Sequence, residues 1–223
     1  MRRFGLLGWV LVLSSSPVWA VDLSQAMHAC PGAAAFIEAQ VAQQRAALSV
    51  GPSVVSDNVR RERLLALQDE DQRLYERLAS GSIDVTALMP VKERHLSYLR
   101  QELGDSVAIP SVGEVGRDGL AALWLLVQHA DDDPSLQAKA LANFEPLVKR
   151  GELDASKFAL LSDRVLLASG KPQRFGTQLR SLETGEPLKL DSPASVERER
   201  TALGLMSLED YRCISDQLYR SAR

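Results

Sequence analysis

The chain has 223 residues and a formal net charge of −3, with 25% charged and only 5% aromatic residues. Lysines and arginines are scattered among acids, which leaves no basic footprint for nucleic acid or an anionic membrane surface. The scarcity of aromatics argues against a carbohydrate or nucleobase binder. What remains is a mildly acidic globular protein, long enough for one domain with a sizeable core.

In chain order, residues 1–20 read as a secretory signal peptide. Arg2 and Arg3 precede an apolar core from Phe4 to Leu13, and Val18-Trp19-Ala20 offers a cleavage point after Ala20. The apolar stretch is about half of what a bilayer crossing needs, so no stable membrane insertion is expected after cleavage, and the mature chain is placed in the periplasm or outside the cell. Both cysteines, Cys30 and Cys213, survive cleavage. An even count in an oxidising compartment predicts a bridge between them. A metal reading of His28-Ala29-Cys30 lacks further ligands, and neither a metal nor a cofactor is expected.

Residues 21–57 form an N-terminal helical extension, with an alanine-rich helix near 32–48 and a Gly51-Pro52-Ser53 break. The 3.6-residue period then predicts helices near 58–79, 91–103 and 117–130, another from Pro134, and one near 155–168. Over 174–191, "RFGTQLRSLETGEPLKLD" alternates apolar and polar residues around Thr184-Gly185 and reads as a small β-hairpin. Helices near 194–203 and 207–219 close a domain spanning 58–219. The expected fold class is mostly α: a single-domain helical bundle with one small hairpin in its C-terminal third.

Several polar residues stand where apolar ones belong. The helix "LAALWLLVQ" is apolar nearly all round, so Gln128 and His129 leave the core at its C-terminal edge. His129 there is either a cap on helix carbonyls or a functional imidazole with Asp131 to orient it. Asp71 interrupts the stripe of Leu64, Leu67, Leu74 and Leu78, and Asp163-Arg164 interrupts "FALLSDRVLLA". Buried charges need partners, so an Asp71–Arg164 or Asp163–Arg164 pair is the architectural expectation. Gly113, Gly116 and Gly119 read as a flexible loop rather than an anion cradle, since no strand precedes them. There is no G-x-S-x-G elbow, P-loop or H-E-x-x-H segment.

The segments "WLLVQHADDDPSLQ", "LSDRVLLASGKPQRFGTQ" and "ERERTALGLMSLEDY", in that order, resemble an uncharacterised bacterial family, domain of unknown function 6624, over about residues 60–212. The resemblance marks Gln128, His129, Asp131, Gln137, Asp163, Arg164, Gln173, Gly176, Thr177 and Gln178, with Asp71 and Gln72 in an earlier segment. The chain departs from the family pattern at Phe175, where tyrosine is commoner, and at Tyr75, where an arginine is expected. The resemblance implies a shared site and supplies no reaction.

Two functions stay open. One is a binding or interaction module for an unidentified small molecule or protein, with a polar Gln/His/Asp site and no nucleic-acid partner. The other is an extracytoplasmic hydrolase or transferase with His129 as general acid or base and Asp131 or Asp163 as its orienter. Both versions expect His129 and Gln178 to approach each other.

Overall fold

Ser111 fixes the start of the central helix. Its hydroxyl accepts from the Glu114 N–H (3.2 Å), while the Glu114 carboxylate accepts from the Ser111 N–H (2.8 Å), a capping box that satisfies two otherwise orphaned donors. The helix therefore begins at Val112, earlier than the loop reading of its glycines implies, and it is kinked at Gly116, where φ is 74°. A Cβ on Gly119 would lie 3.0 Å from the Val115 Cβ and 3.3 Å from the Arg61 Cγ. These glycines serve a kink and a close helix crossing.

The computed structural model describes residues 17–49, 54–181 and 186–221. Most of them are helical: α1 (Pro17–Ala29), α2 (Pro31–Ser49), α3 (Asn58–Ala79), α4 (Met89–Leu103) after a short 3-10 turn (Val85–Leu88), α5 (Val112–Gln128), α6 (Pro134–Lys149), α7 (Ala155–Ala168), α8 (Pro193–Ala202) and α9 (Leu208–Ser221). Residues 1–16, most of the expected signal peptide, lie outside the described residues. Among the described residues no helix is long and apolar enough to cross a membrane.

The chain divides into two compact units, one of residues 52–161 and one of 1–51 with 162–223. The first boundary falls on the Gly51-Pro52-Ser53 break. In the 52–161 unit, α5 packs principally along α3, and Leu64, Leu120, Leu123 and Trp124 are fully buried between the helices. Polar ties fix the register. Arg60 meets Glu102 at 2.6 Å, linking α3 to α4; Arg61 forks onto Asp118, linking α3 to α5; and the Trp124 indole donates to the Lys157 carbonyl (3.0 Å). Asp133 caps α6, and Pro134 follows at its first turn.

In the other unit α1 and α2 pack against α9 around Ala26, Cys30, Ala33, Ile37 and Ile214. The Cys30–Cys213 disulfide is present and joins residues 183 apart in sequence. Closing so long a loop constrains the unfolded chain by roughly 4–5 kcal/mol.

The β content is smaller than the alternating pattern suggests. Leu179–Ser181 pairs antiparallel with Glu186–Pro187 in an irregular register, and the turn residues 182–185 lie outside the described residues. Residues 174–178, expected as strand, are loop instead. Gly176 has a φ of 69°, which a pleated strand does not accommodate, and the polar side chains around it hold the backbone locally.

Candidate functional site

Asp71 sits one turn after Leu67 on the buried face of α3 and is 2% exposed. His129 is the residue that ends α5, and its N–H still donates to the Leu125 carbonyl (3.0 Å). Packing α5 on α3 brings the two together: the His129 Nδ1 lies 2.7 Å from the Asp71 Oδ2. An ionised carboxylate only accepts, so Nδ1 carries a proton and Nε2 is the ring nitrogen left for another partner. Nε2 makes no hydrogen bond among the described residues. Tyr75, one turn beyond Asp71, lays its ring against the imidazole with centroids 4.6 Å apart. The position where the family pattern suggests an arginine is thus filled by a ring that limits the rotation of His129.

The other Asp71 oxygen faces a second histidine. The His95 Nδ1, from α4, lies 3.8 Å from the Asp71 Oδ1, an electrostatic contact longer than a hydrogen bond. The His95 Nε2 meets the Glu70 Oε2 at 3.0 Å, and Arg94 holds the other Glu70 oxygen at 2.5 Å. The His95 hydrogen bond, followed by the Arg94 charge, keeps the Glu70 carboxyl below the usual carboxylate range. The result is a chain of groups from half-buried Glu70 through buried His95 and Asp71 to His129.

Of the sequence-selected residues, Asp71 and His129 come together. Asp131 does not orient the imidazole; it leaves the helix end and meets Lys92 at 3.5 Å. Opposite Asp71, where the sequence suggests Arg164 as partner, stand the imidazoles of His129 and His95. Gln137 donates to the Val127 and Gln128 carbonyls, each at 3.1 Å, and closes the end of α5. Gln128 is 0% exposed, yet neither side-chain polar atom has a partner among the described residues. Gln72 is half-buried beside Asp71.

Asp163 belongs to a separate cluster. Fully buried, it accepts from the N–H groups of Arg174 (2.7 Å), Phe175 (2.9 Å) and Thr177 (2.8 Å) and from the Thr177 hydroxyl (2.9 Å). This is backbone anchoring, not the expected Asp163–Arg164 charge pair and not an orienter of an imidazole. Gln173 works in the same way, donating to the Gln178 and Leu188 carbonyls and accepting from the Gln178 N–H. Arg200 donates to the Phe175 carbonyl (2.6 Å), and the Tyr211 hydroxyl donates to the Thr177 carbonyl (2.9 Å). Burial pushes the Tyr211 hydroxyl up to about 12. A Cβ on Gly176 would lie 2.8 Å from a Leu208 methyl. Gln178 and His129, expected to approach, belong to different units; the Gln178 amide donates to the Thr177 hydroxyl (3.2 Å).

Sequence reading missed His95 and Glu70. His95 shares a buried stripe with Leu99 and Leu103, the same signal that singled out Asp71. No group of three or more His, Cys, Asp or Glu among the described residues is arranged to hold a metal ion.

The family model described as a family of unknown function, DUF6624, matches residues 60–221. The chain belongs to this family. No curated protein and no solved structure matches it. The DUF6624 match covers both clusters, while α1 and α2 precede it.

Proposed function

We propose that this DUF6624 member is an exported protein, periplasmic or secreted, whose His129 Nε2 exchanges a proton with a bound substrate as the general acid or base of a hydrolase or transferase. One observation carries this reading: a buried carboxylate on Nδ1 at 2.7 Å, with the opposite ring nitrogen unbonded among the described residues. That arrangement fixes one tautomer and stabilises the imidazolium formed when Nε2 takes a proton. Asp71 takes the orienting role that the sequence suggested for Asp131 or Asp163. Tyr75 restricts the ring, and the His95 Nδ1 lies 3.8 Å from the far oxygen of Asp71. Export rests on the basic and apolar N-terminus together with the disulfide.

A non-catalytic binding module is the second reading, and the Gln128 amide favours it. A fully buried amide without a partner costs about 1–3 kcal/mol, which a ligand polar group would offset.

The test is a panel of ester, amide, phosphoester and glycoside substrates offered to the native chain and to His129→Gln and Asp71→Asn. Turnover lost in both variants, with folding intact by circular dichroism, supports the acid–base site. Turnover that survives His129→Gln would overturn it. Ligand capture without turnover, abolished by Gln128→Met, selects the binding module. N-terminal sequencing of secreted protein is expected to begin at Val21.

A further inference from the structure

Beside the histidine chain, and sharing Glu70 with it, α3 and α4 line an open groove of 680 Å³ whose walls carry Arg63, Arg73, Arg77 and Arg94 against only Asp69 and Glu70. The volume is that of a small-molecule site. Both carboxylates are already engaged, Asp69 by Arg73 and Glu70 by Arg94 and His95. Arg63 lies over the Tyr98 ring, 5.7 Å from its centroid, and the Arg77 guanidinium has no carboxylate partner among the described residues. Arg73 and Arg77 stand one turn apart on α3, a like-charged i,i+4 pair that is destabilising by itself. Leu67, Leu74 and Val91 supply apolar surface between the charges.

We infer that this groove binds a small organic anion carrying two or more carboxylate or phosphate groups, held by Arg73 and Arg77 of α3 and Arg94 of α4. The planar guanidinium fork matches carboxylate and phosphate oxygens in pairs. A bound anion relieves the Arg73–Arg77 repulsion, and its carbon skeleton covers Leu67, Leu74 and Val91. Glu70 lines the groove and also bonds His95, so occupancy is sensed at the His95 ring. The site stands apart from the His129 reading, because none of its anion-holding groups belongs to the His129–Asp71 pair.

The experiment is calorimetric titration of the full chain with citrate and with pyrophosphate, at an ionic strength of about 0.1 M to screen diffuse attraction. One-to-one binding of either probe is expected. The Arg73→Gln/Arg77→Gln variant should bind it at least about tenfold more weakly, since two charge-assisted donors are removed. Lys149→Gln, an exposed charge change on α6, should bind as the native chain does. His129→Gln should also bind normally, so that failure of the catalytic proposal does not touch this one. In NMR spectra of labelled histidines, citrate or pyrophosphate should shift the His95 ring signals more than those of His28. Native-like affinity in the double arginine variant overturns the proposal. So does binding confined to phosphatidylglycerol vesicles with both soluble probes silent, which would make the face a membrane contact.

Discussion

Two buried aspartates, Asp71 on α3 and Asp163 on α7, interrupt apolar helices in the same way and are satisfied in opposite ways. Asp163 is surrounded by donors from one short loop, three of them backbone N–H groups that do not change protonation. Asp71 is met by two imidazoles from two other helices. A carboxylate saturated by main-chain donors is an anchor. One that holds a titratable ring, with no bond to the opposite nitrogen among the described residues, is the arrangement on which the acid–base proposal rests. The identity of the partner separates the roles, because burial is nearly the same.

The largest expected effect tests this contrast directly. Asp163→Asn turns an acceptor into an NH2 group that faces donors, and should lose roughly 3–5 kcal/mol of unfolding free energy in urea. Asp71→Asn should lose only about 1–2 kcal/mol, while abolishing any turnover. Equal losses in the two variants would mean that Asp71 is an anchor as well.

The sequence makes both aspartates visible, because a charge in an apolar stripe shows in the 3.6-residue period. It does not reveal their partners. His129 and Asp71 are 58 residues apart, and their meeting depends on how α5 is registered along α3, which no local pattern encodes. Asp131 is near His129 in sequence, yet two residues past the helix end the chain has turned toward Lys92. In the "QRFGTQ" segment, Gln173, Thr177 and Gln178 have the residue types of a polar site, but Gln173 bonds backbone groups of the Gln178 and Leu188 positions, the Thr177 hydroxyl donates to Asp163, and the Gln178 amide donates to the Thr177 hydroxyl. The positive φ at Gly176 breaks the alternation that suggested a strand through 174–178.

Gln128 lies at the end of the helix that delivers His129, and a smaller effect of opposite sign is expected there. Gln128→Met keeps the volume and removes an amide with no partner among the described residues. Thermal unfolding should show a gain of about 1–2 kcal/mol, together with lost ligand affinity if the amide serves a bound molecule. A destabilised variant would show that the amide is satisfied in solution and has an architectural role.

On the anchoring side, Tyr211→Phe deletes the hydroxyl that donates to the Thr177 carbonyl. The expected loss is about 1 kcal/mol, with turnover unchanged, since that loop is not part of the His129 pair. Lost turnover at full stability would join the two clusters functionally and blur the contrast between them.

The smallest effect separates the clusters by pH. His95 and Arg94 lower the Glu70 carboxyl from its ordinary 4.5. Folding therefore favours ionised Glu70, and the stability this contributes is present above pH 4.5 and lost as pH falls through the lowered native value. Glu70 is largely in contact with solvent, so the contribution is small. It is best read as the difference between the native chain and Glu70→Gln, which should be flat above pH 4.5 and vanish in acid. Asp163 runs the other way. Burial pushes its carboxyl above the ordinary 3.8, against the pull of its four donors. Folding then favours the protonated form, and that contribution is full below pH 3.8 and lost as pH rises through the native value. Carboxyl 13C titration of the folded chain should place Asp163 above 3.8 and Glu70 below 4.5. The reverse displacement at Asp163 would show that its donors outweigh burial, making it a still stronger anchor while leaving the histidine chain untouched.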